Sequence, residues 1–154
     1  MTIEWKTSTH AVPYEKALSF MENRVDGIIR GEQNELIWAL EHPPIYTSGT
    51  SSKKEDLLNP QNLPVYAAKR GGQYTYHGPG QRVIYVMLDL NKRGRDLRKF
   101  VKNLENWIIY TLSDFEIEGF TRNDRIGVWV KRPEKPSSIK VDVCEEKIAA
   151  VGIR

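Results

Sequence analysis

Residues 70–80 read RGGQYTYHGPG and hold four of the chain's eleven glycines. Glycine loses more freedom on folding than any other residue, so such a cluster needs a reason: tight turns, positive φ angles, or a ligand that comes close to the backbone. The cluster lies between two apolar runs, PVYAAK (64–69) and RVIYVMLDL (82–90), each of which reads as a strand. It is therefore a structured loop rather than a linker, and His77 sets a titratable group in its middle. On composition alone a tight inter-strand connection with aromatic packing and a ligand-binding loop both remain open. A phosphate loop is disfavoured, because the Gly-Lys-Ser/Thr ending and the GxGxxG order are both missing.

The remainder of the chain frames this loop. Pro13 opens a helix whose apolar residues Tyr14, Ala17, Leu18, Met21, Val25 and Ile28 fall at three- and four-residue steps, running to about Arg30, with Gly31 as the stop. ELIWALEH (35–42) reads as a buried strand, and the following HPPIYTSGTSSKKEDLLNP as turn and loop with a strand or short helix inside. Asp96 caps a second helix carrying Leu97, Phe100, Val101, Leu104, Trp107, Ile108 and Leu112 on one face. IGVWVK (126–131) is a strand, RPEKPSSIK (132–140) a polar loop, and KIAAVGIR (147–154) a strand. This mixture predicts an α+β fold, a mixed sheet with packed helices; the alternation is too irregular for a doubly wound fold.

At 154 residues, 40% hydrophobic and 28% charged, the expectation is one domain over 1–154 with its own core. The start MTIEWKTSTH has no signal-peptide core and carries Glu4, so a cytoplasmic location is expected, with no membrane association. One cysteine, Cys144, rules out an internal disulfide framework and a cysteine-rich zinc site. A net charge of +3, with basic and acidic residues mixed, argues against nucleic-acid binding, although a local basic patch can dock an acidic partner.

RGGQYTYHGPGQ followed by a strand ending in LDL resembles the signature of the lipoyl(octanoyl) transferases, the octanoyltransferases of lipoate biosynthesis. LEHPPIYTSGT (40–50), IGVWV and EEKIAAVGIR resemble further segments of that family, in its order and over nearly the whole chain. The resemblance implies the fold of lipoate-protein ligases and biotin protein ligases. It implies movement of an octanoyl group from octanoyl-loaded acyl carrier protein to a lysine on the lipoyl domain of a dehydrogenase E2 subunit or on the glycine-cleavage H protein. It implies no cofactor, ATP or metal, and a cysteine acyl-thioester on the enzyme.

A thioester relay needs a thiolate, and in the family a lysine matching Lys147 lowers the thiol's pKa. Lys147 opens an apolar run, so partial desolvation of its ammonium is expected. The segment Arg70, Gly71, Gly72, Gln73, Tyr74, Thr75, Tyr76 and His77 matches the family's acyl-pocket lining, with Gly71 and Gly72 letting the chain close over the thioester. Thr75, Tyr76 and His77 would place hydrogen-bonding groups near the reacting carbonyl. Ala150, Val151 and Gly152 match a facing strand whose small residues leave room for an aliphatic chain, so the two segments are expected to enclose one acyl slot.

The family's nucleophilic cysteine lies downstream of the KIAA segment, past Arg154. Cys144 stands three residues before Lys147, an odd offset that puts the two on opposite faces of a strand; it reads as a loop thiol. The expectation is thus a C-terminally truncated octanoyltransferase with weak or no activity of its own. The competing readings are an ATP-dependent lipoate-protein ligase, disfavoured by two glycines where a triple-glycine loop is needed, and a non-catalytic acyl-binding domain.

Overall fold

The expected first helix is α1, Tyr14–Ile29, entered from Pro13 and ended where Gly31 takes φ +75. Its buried face is Tyr14, Ala17, Gly27 and Ile28. Val25 departs from the expected stripe and is 39% exposed. Arg24 lies half-buried at the neighbouring position, pairing with Glu4 at 2.9 Å and lying 5.8 Å from the Phe20 ring. The computed structural model describes residues 2–59, 61–134 and 144–154. Within it the chain divides into two compact units, Met1–Gly94 with Arg154, and Arg95–Ile153.

The core of the first unit is one cluster: Ala17, Ile28, Leu36, Trp38, Leu40 and Met87, with Phe20, Met21 and Tyr85 packed against it. It forms because β2 (Leu36–Leu40) is central in a sheet ordered β1-β2-β6, parallel to β1 (Glu4–Thr7) and antiparallel to β6 (Val83–Met87). A strand flanked on both sides and covered by a helix is apolar nearly throughout, as LIWAL is. Phe20 of α1 meets Trp38 edge-on at 4.7 Å. β1 escapes sequence reading because EWKT is a mostly exposed edge strand with no apolar alternation. β6 stops short of the expected Leu90, because Leu90–Arg93 turns into a 3-10 helix capped by the Asp89 side chain, which accepts from Asn91 N at 2.9 Å.

The second sheet has the order β4-β3-β5. β3 (Ile45–Ser48), the strand inside the turn-rich stretch, pairs parallel with β4 (Val65–Ala67) and antiparallel with β5 (Tyr74–His77). The glycine-rich stretch is thus only partly loop: YTYH is a strand in register with IYTS, and its aromatic and β-branched residues favour that pairing.

In the second unit Asp96 caps α2 (Leu97–Ser113) as expected, accepting from Lys99 N at 2.9 Å. Strands β7 (Gly119–Thr121), β8 (Val128–Arg132) and β9 (Cys144–Ala149) form an antiparallel meander. α2 comes close to β7 at Gly119, where a Cβ would lie 3.2 Å from Leu112 Cδ1. The segment KIAAVGIR is not one strand: β9 begins earlier, at Cys144, and Ala150–Arg154 lie beyond it. The reason lies across the ladder. Ala149 pairs with Val128, and the preceding Gly127, at φ +123, turns the partner chain away. Of the RPEKPSSIK loop, residues 135–140 lie outside the described residues. The fold is α+β with mixed pairing, distributed over three short sheets. Among the described residues no helix is long and apolar enough to cross a membrane.

One ion pair ties β2 to the turn after β6. Glu35, 2% exposed, accepts from Arg93 Nη1 and Nη2 at 2.6 and 2.7 Å and from Asp89 N at 2.7 Å. The Arg93 bonds hold its carboxyl below the usual range, against the opposing effect of burial. We expect Glu35→Gln to cost about 1–3 kcal/mol at neutral pH, measured by urea unfolding. A depressed carboxylate contributes fully above its unfolded value, about 4.3, and that contribution fades as pH falls through the folded one. The difference between native and variant stability should therefore narrow below about pH 4.

Candidate active site

The first unit holds a polar cluster built on the β3–β5 pair. Their register sets Thr47 opposite Thr75 and Ile45 opposite His77. Alternation sends these four to one face and Tyr46, Ser48, Tyr74 and Tyr76 to the other. Arg70 reaches into the first face. Its Nη2 donates to Thr47 Oγ1 (2.8 Å), Thr75 Oγ1 (2.9 Å) and the Thr47 carbonyl (3.2 Å). Its Nη1 donates to the carbonyls of Gly71 (2.9 Å) and Gln73 (3.1 Å). One guanidinium thus braces two strands and the turn between β4 and β5. Burial lowers its pKa from the ordinary guanidinium value, which still leaves it charged.

The glycines serve this brace. Gly72 adopts φ +85, and its carbonyl accepts from Ser51 N at 3.0 Å. Gly49 presses so near that a Cβ there would lie 2.2 Å from the Gly72 oxygen. The 49–51 and 70–73 backbones interlock, with Thr50 N donating to the Arg70 carbonyl at 2.9 Å. Gly71 has open space at its Cβ position, so nothing in the packing demands glycine there.

His77 is half-buried in β5, and its tautomer follows from its neighbours. Gln81 Nε2 donates to the Tyr76 carbonyl at 3.2 Å, which turns Gln81 Oε1 toward His77 Nδ1 at 2.6 Å. That oxygen can only accept, so Nδ1 carries the proton, and Nε2 offers its lone pair to the Thr47 hydroxyl at 3.3 Å. Burial lowers the His77 pKa, the bond to Gln81 raises it, and the nearby His42 and Arg70 lower it further. The net direction is down, so the imidazole is neutral at pH 7 and able to accept a proton at Nε2.

Behind it stands His42, 0% exposed, with its ring 5.9 Å from that of His77. His42 Nδ1 donates to the Val12 carbonyl (2.6 Å), so Nε2 accepts from Tyr85 Oη (2.8 Å). Burial lowers the His42 pKa and raises that of Tyr85, keeping both neutral. The face therefore combines a fixed cation, a neutral imidazole and hydroxyls, the equipment to orient and polarise a carbonyl. A cavity of about 310 Å³ lined by Tyr46, Gln61, Leu63 and Tyr76 lies on the opposite face of β3 and β5. It is separate from this chemistry.

The second unit holds Lys147. It lies on β9 opposite Trp129 of β8, its Nζ 5.0 Å from the indole centroid. It is exposed, which corrects the expected desolvation: the apolar residues that follow it do not cover its ammonium. Cys144 is on β9 opposite Arg132, half-buried, so it is a strand thiol rather than a loop one. Its register agrees with the opposite-face expectation, since pairing is continuous from Cys144 to Lys147. Ala150, Val151 and Gly152, expected on a strand, follow β9 instead. Among the described residues no group of three His, Cys, Asp or Glu side chains gathers as a metal site requires.

The structure thus brings together Arg70, Thr75 and His77 on one face, with Gly71, Gly72 and Gln73 forming the turn that Arg70 braces. Tyr74 and Tyr76 point the other way. Sequence reasoning left His42, Thr47, Gln81 and Tyr85 without roles. The first two lay in the quoted LEHPPIYTSGT segment, and Gln81 closed the glycine motif.

Residues 13–154 match the lipoyl protein ligase A/B catalytic domain. The chain belongs to that family. An octanoyltransferase of Brucella melitensis is 57% identical over 152 residues, covering 99% of this chain and 58% of its own length. That of Brucella suis is also 57% identical, covering 99% and 57%. One from Cereibacter sphaeroides is 55% identical, covering 99% of this chain and 70% of its own. The chain thus spans somewhat more than half the length of the Brucella relatives.

For the polar cluster of this family member, we expect Thr47→Val to cost about 1–3 kcal/mol in chemical denaturation, by stripping Arg70 of a buried acceptor, and Thr47→Ser to cost less. His77 should titrate below about 6.5 by NMR and show the Nδ1–H tautomer at neutral pH. Gln81→Met should lower its pKa further. Because the folded state resists this protonation, folding weakens as pH falls from about 6.5 toward the His77 value.

Proposed function

We propose that this chain carries the acyl-binding and amine-bearing part of an octanoyltransferase. Such an enzyme moves an octanoyl group from octanoyl-loaded acyl carrier protein to a lysine of lipoyl domains, in the cytoplasm, without ATP or metal; this chain on its own is expected to show weak or no transfer. Supporting this reading above all is identity of 55–57% over 152 residues to proteins named octanoyltransferase. In this reading Arg70 and Thr75 orient the thioester end of the acyl group, and the neutral His77 offers a proton acceptor beside it. Lys147 serves the acyl-accepting thiol with its positive charge, which favours the thiolate. That thiol is not Cys144, which faces away from Lys147 along β9. The names of the relatives favour transfer over ATP-dependent ligation, although the family includes ligases.

Calorimetric titration with octanoyl-loaded and unloaded carrier protein tests the proposal. We expect the loaded carrier to bind more tightly, and His77→Ala to weaken that preference about tenfold, the worth of about one buried hydrogen bond. Equal binding of both carriers sinks the acyl-binding role. Lipoylation of an apo-domain that requires ATP sinks the transferase reading. An octanoyl adduct on Cys144 in the intact mass overturns the assignment of the thiol.

A further inference from the structure

We propose that Trp129 is a positioning residue for Lys147, an aromatic seat that fixes where the ammonium stands; this rests on Lys147 being the amine that serves acyl transfer. An exposed lysine ordinarily sweeps through many rotamers, and a group that must meet a thiol at hydrogen-bond distance is poorly served by such freedom. Lys147 is held at both ends instead. Its ammonium lies 5.0 Å from the centroid of the Trp129 ring, the residue directly across the β8–β9 ladder, where the negative face of the indole attracts a cation. Its stem runs over Gly127: a Cβ on that residue would lie 3.2 Å from both Lys147 Cδ and Cε.

The seat is itself fixed. Gly127 holds φ +123, a conformation closed to most side chains, and its Cβ would also lie 2.6 Å from the Ala149 carbonyl. Its backbone N–H donates at 2.9 Å to Glu105 Oε1, a carboxylate on α2 that is 6% exposed. The Trp129 ring carries a second cation, Arg125, whose Cζ is 4.6 Å from the centroid and whose Nε donates to Asp124 at 3.0 Å. The ladder shifts register between Val128 and Trp129, so the chain departs from regular pairing where the seat is built. Irregular pairing, an obligate glycine, a buried carboxylate and a doubly engaged indole all converge on one exposed lysine.

Reductive methylation of the chain with carbon-13 formaldehyde, read by NMR, tests the seat directly. The Lys147 signal is assigned by its loss in Lys147→Arg. We expect it upfield of the other lysines, shifted by the indole ring current. Trp129→Leu should return it to their position, and Trp129→Phe should keep part of the shift while sparing the fold. A Lys147 signal that coincides with the others in the unaltered chain, or that ignores both Trp129 variants, overturns the proposal. Octanoyl-loaded carrier protein, added to the methylated chain, should move the Lys147 signal. A seated Lys147 that the loaded carrier leaves undisturbed counts against the transferase reading and not against the seat.

Discussion

The Arg70 guanidinium is the interaction on which the candidate site depends. It is planar, permanently charged, and able to donate in several directions at once. Its five hydrogen bonds reach β3, β5 and the turn before β5. A half-buried cation with fewer partners would be costly. Because each bond lands on an uncharged oxygen, the charge is solvated by the protein without being neutralised. The field of the cation therefore persists at the face where Thr47, Thr75 and His77 meet. An aspartate or glutamate partner would have given comparable anchoring and cancelled that field. His77 feels it, and Arg70 is among the causes that lower its pKa.

The glycines take their meaning from this brace. The question raised by RGGQYTYHGPG was whether its glycines serve a turn or a ligand. At Gly72 the answer is a positive φ, and at Gly49, outside the motif, it is contact of backbone with backbone. Gly71 has neither demand upon it in the packing. Turn chemistry and the polar face are thus one construction, since the turn presents the carbonyls that Arg70 grips.

Long periodic elements were legible in the sequence. α1, α2 with its Asp96 cap, and the apolar strands β2, β6 and β8 all carry strong patterns. Short or polar strands were not. β1 is an edge with charged and exposed residues, and β7 has three residues, too few for any period to register. β5 was hidden by the glycines around it. Arg70, Thr75 and His77 of the first unit were singled out through the family motif, as was Lys147 of the second. Thr47 was invisible because pairing register, not proximity in sequence, brings it to Arg70 and His77, and Tyr85 because it reaches His42 from 43 residues away; Gln81, four residues after His77, lay inside the motif but showed no role there. Lys147 shows the opposite failure. The apolar run after it argued for a desolvated amine, but what touches it is decided by Trp129 and Gly127 across the ladder.

Every atom that Arg70 grips, and both histidines behind and beside it, belongs to a contiguous stretch of the first unit, Met1–Gly94. Synthesis runs from the amino terminus, and domains fold as units while it proceeds. All members of the network have therefore been translated before Lys147 is added to the nascent chain. The whole polar network can thus be in place on the ribosome while the second unit, Lys147 included, has yet to be polymerised.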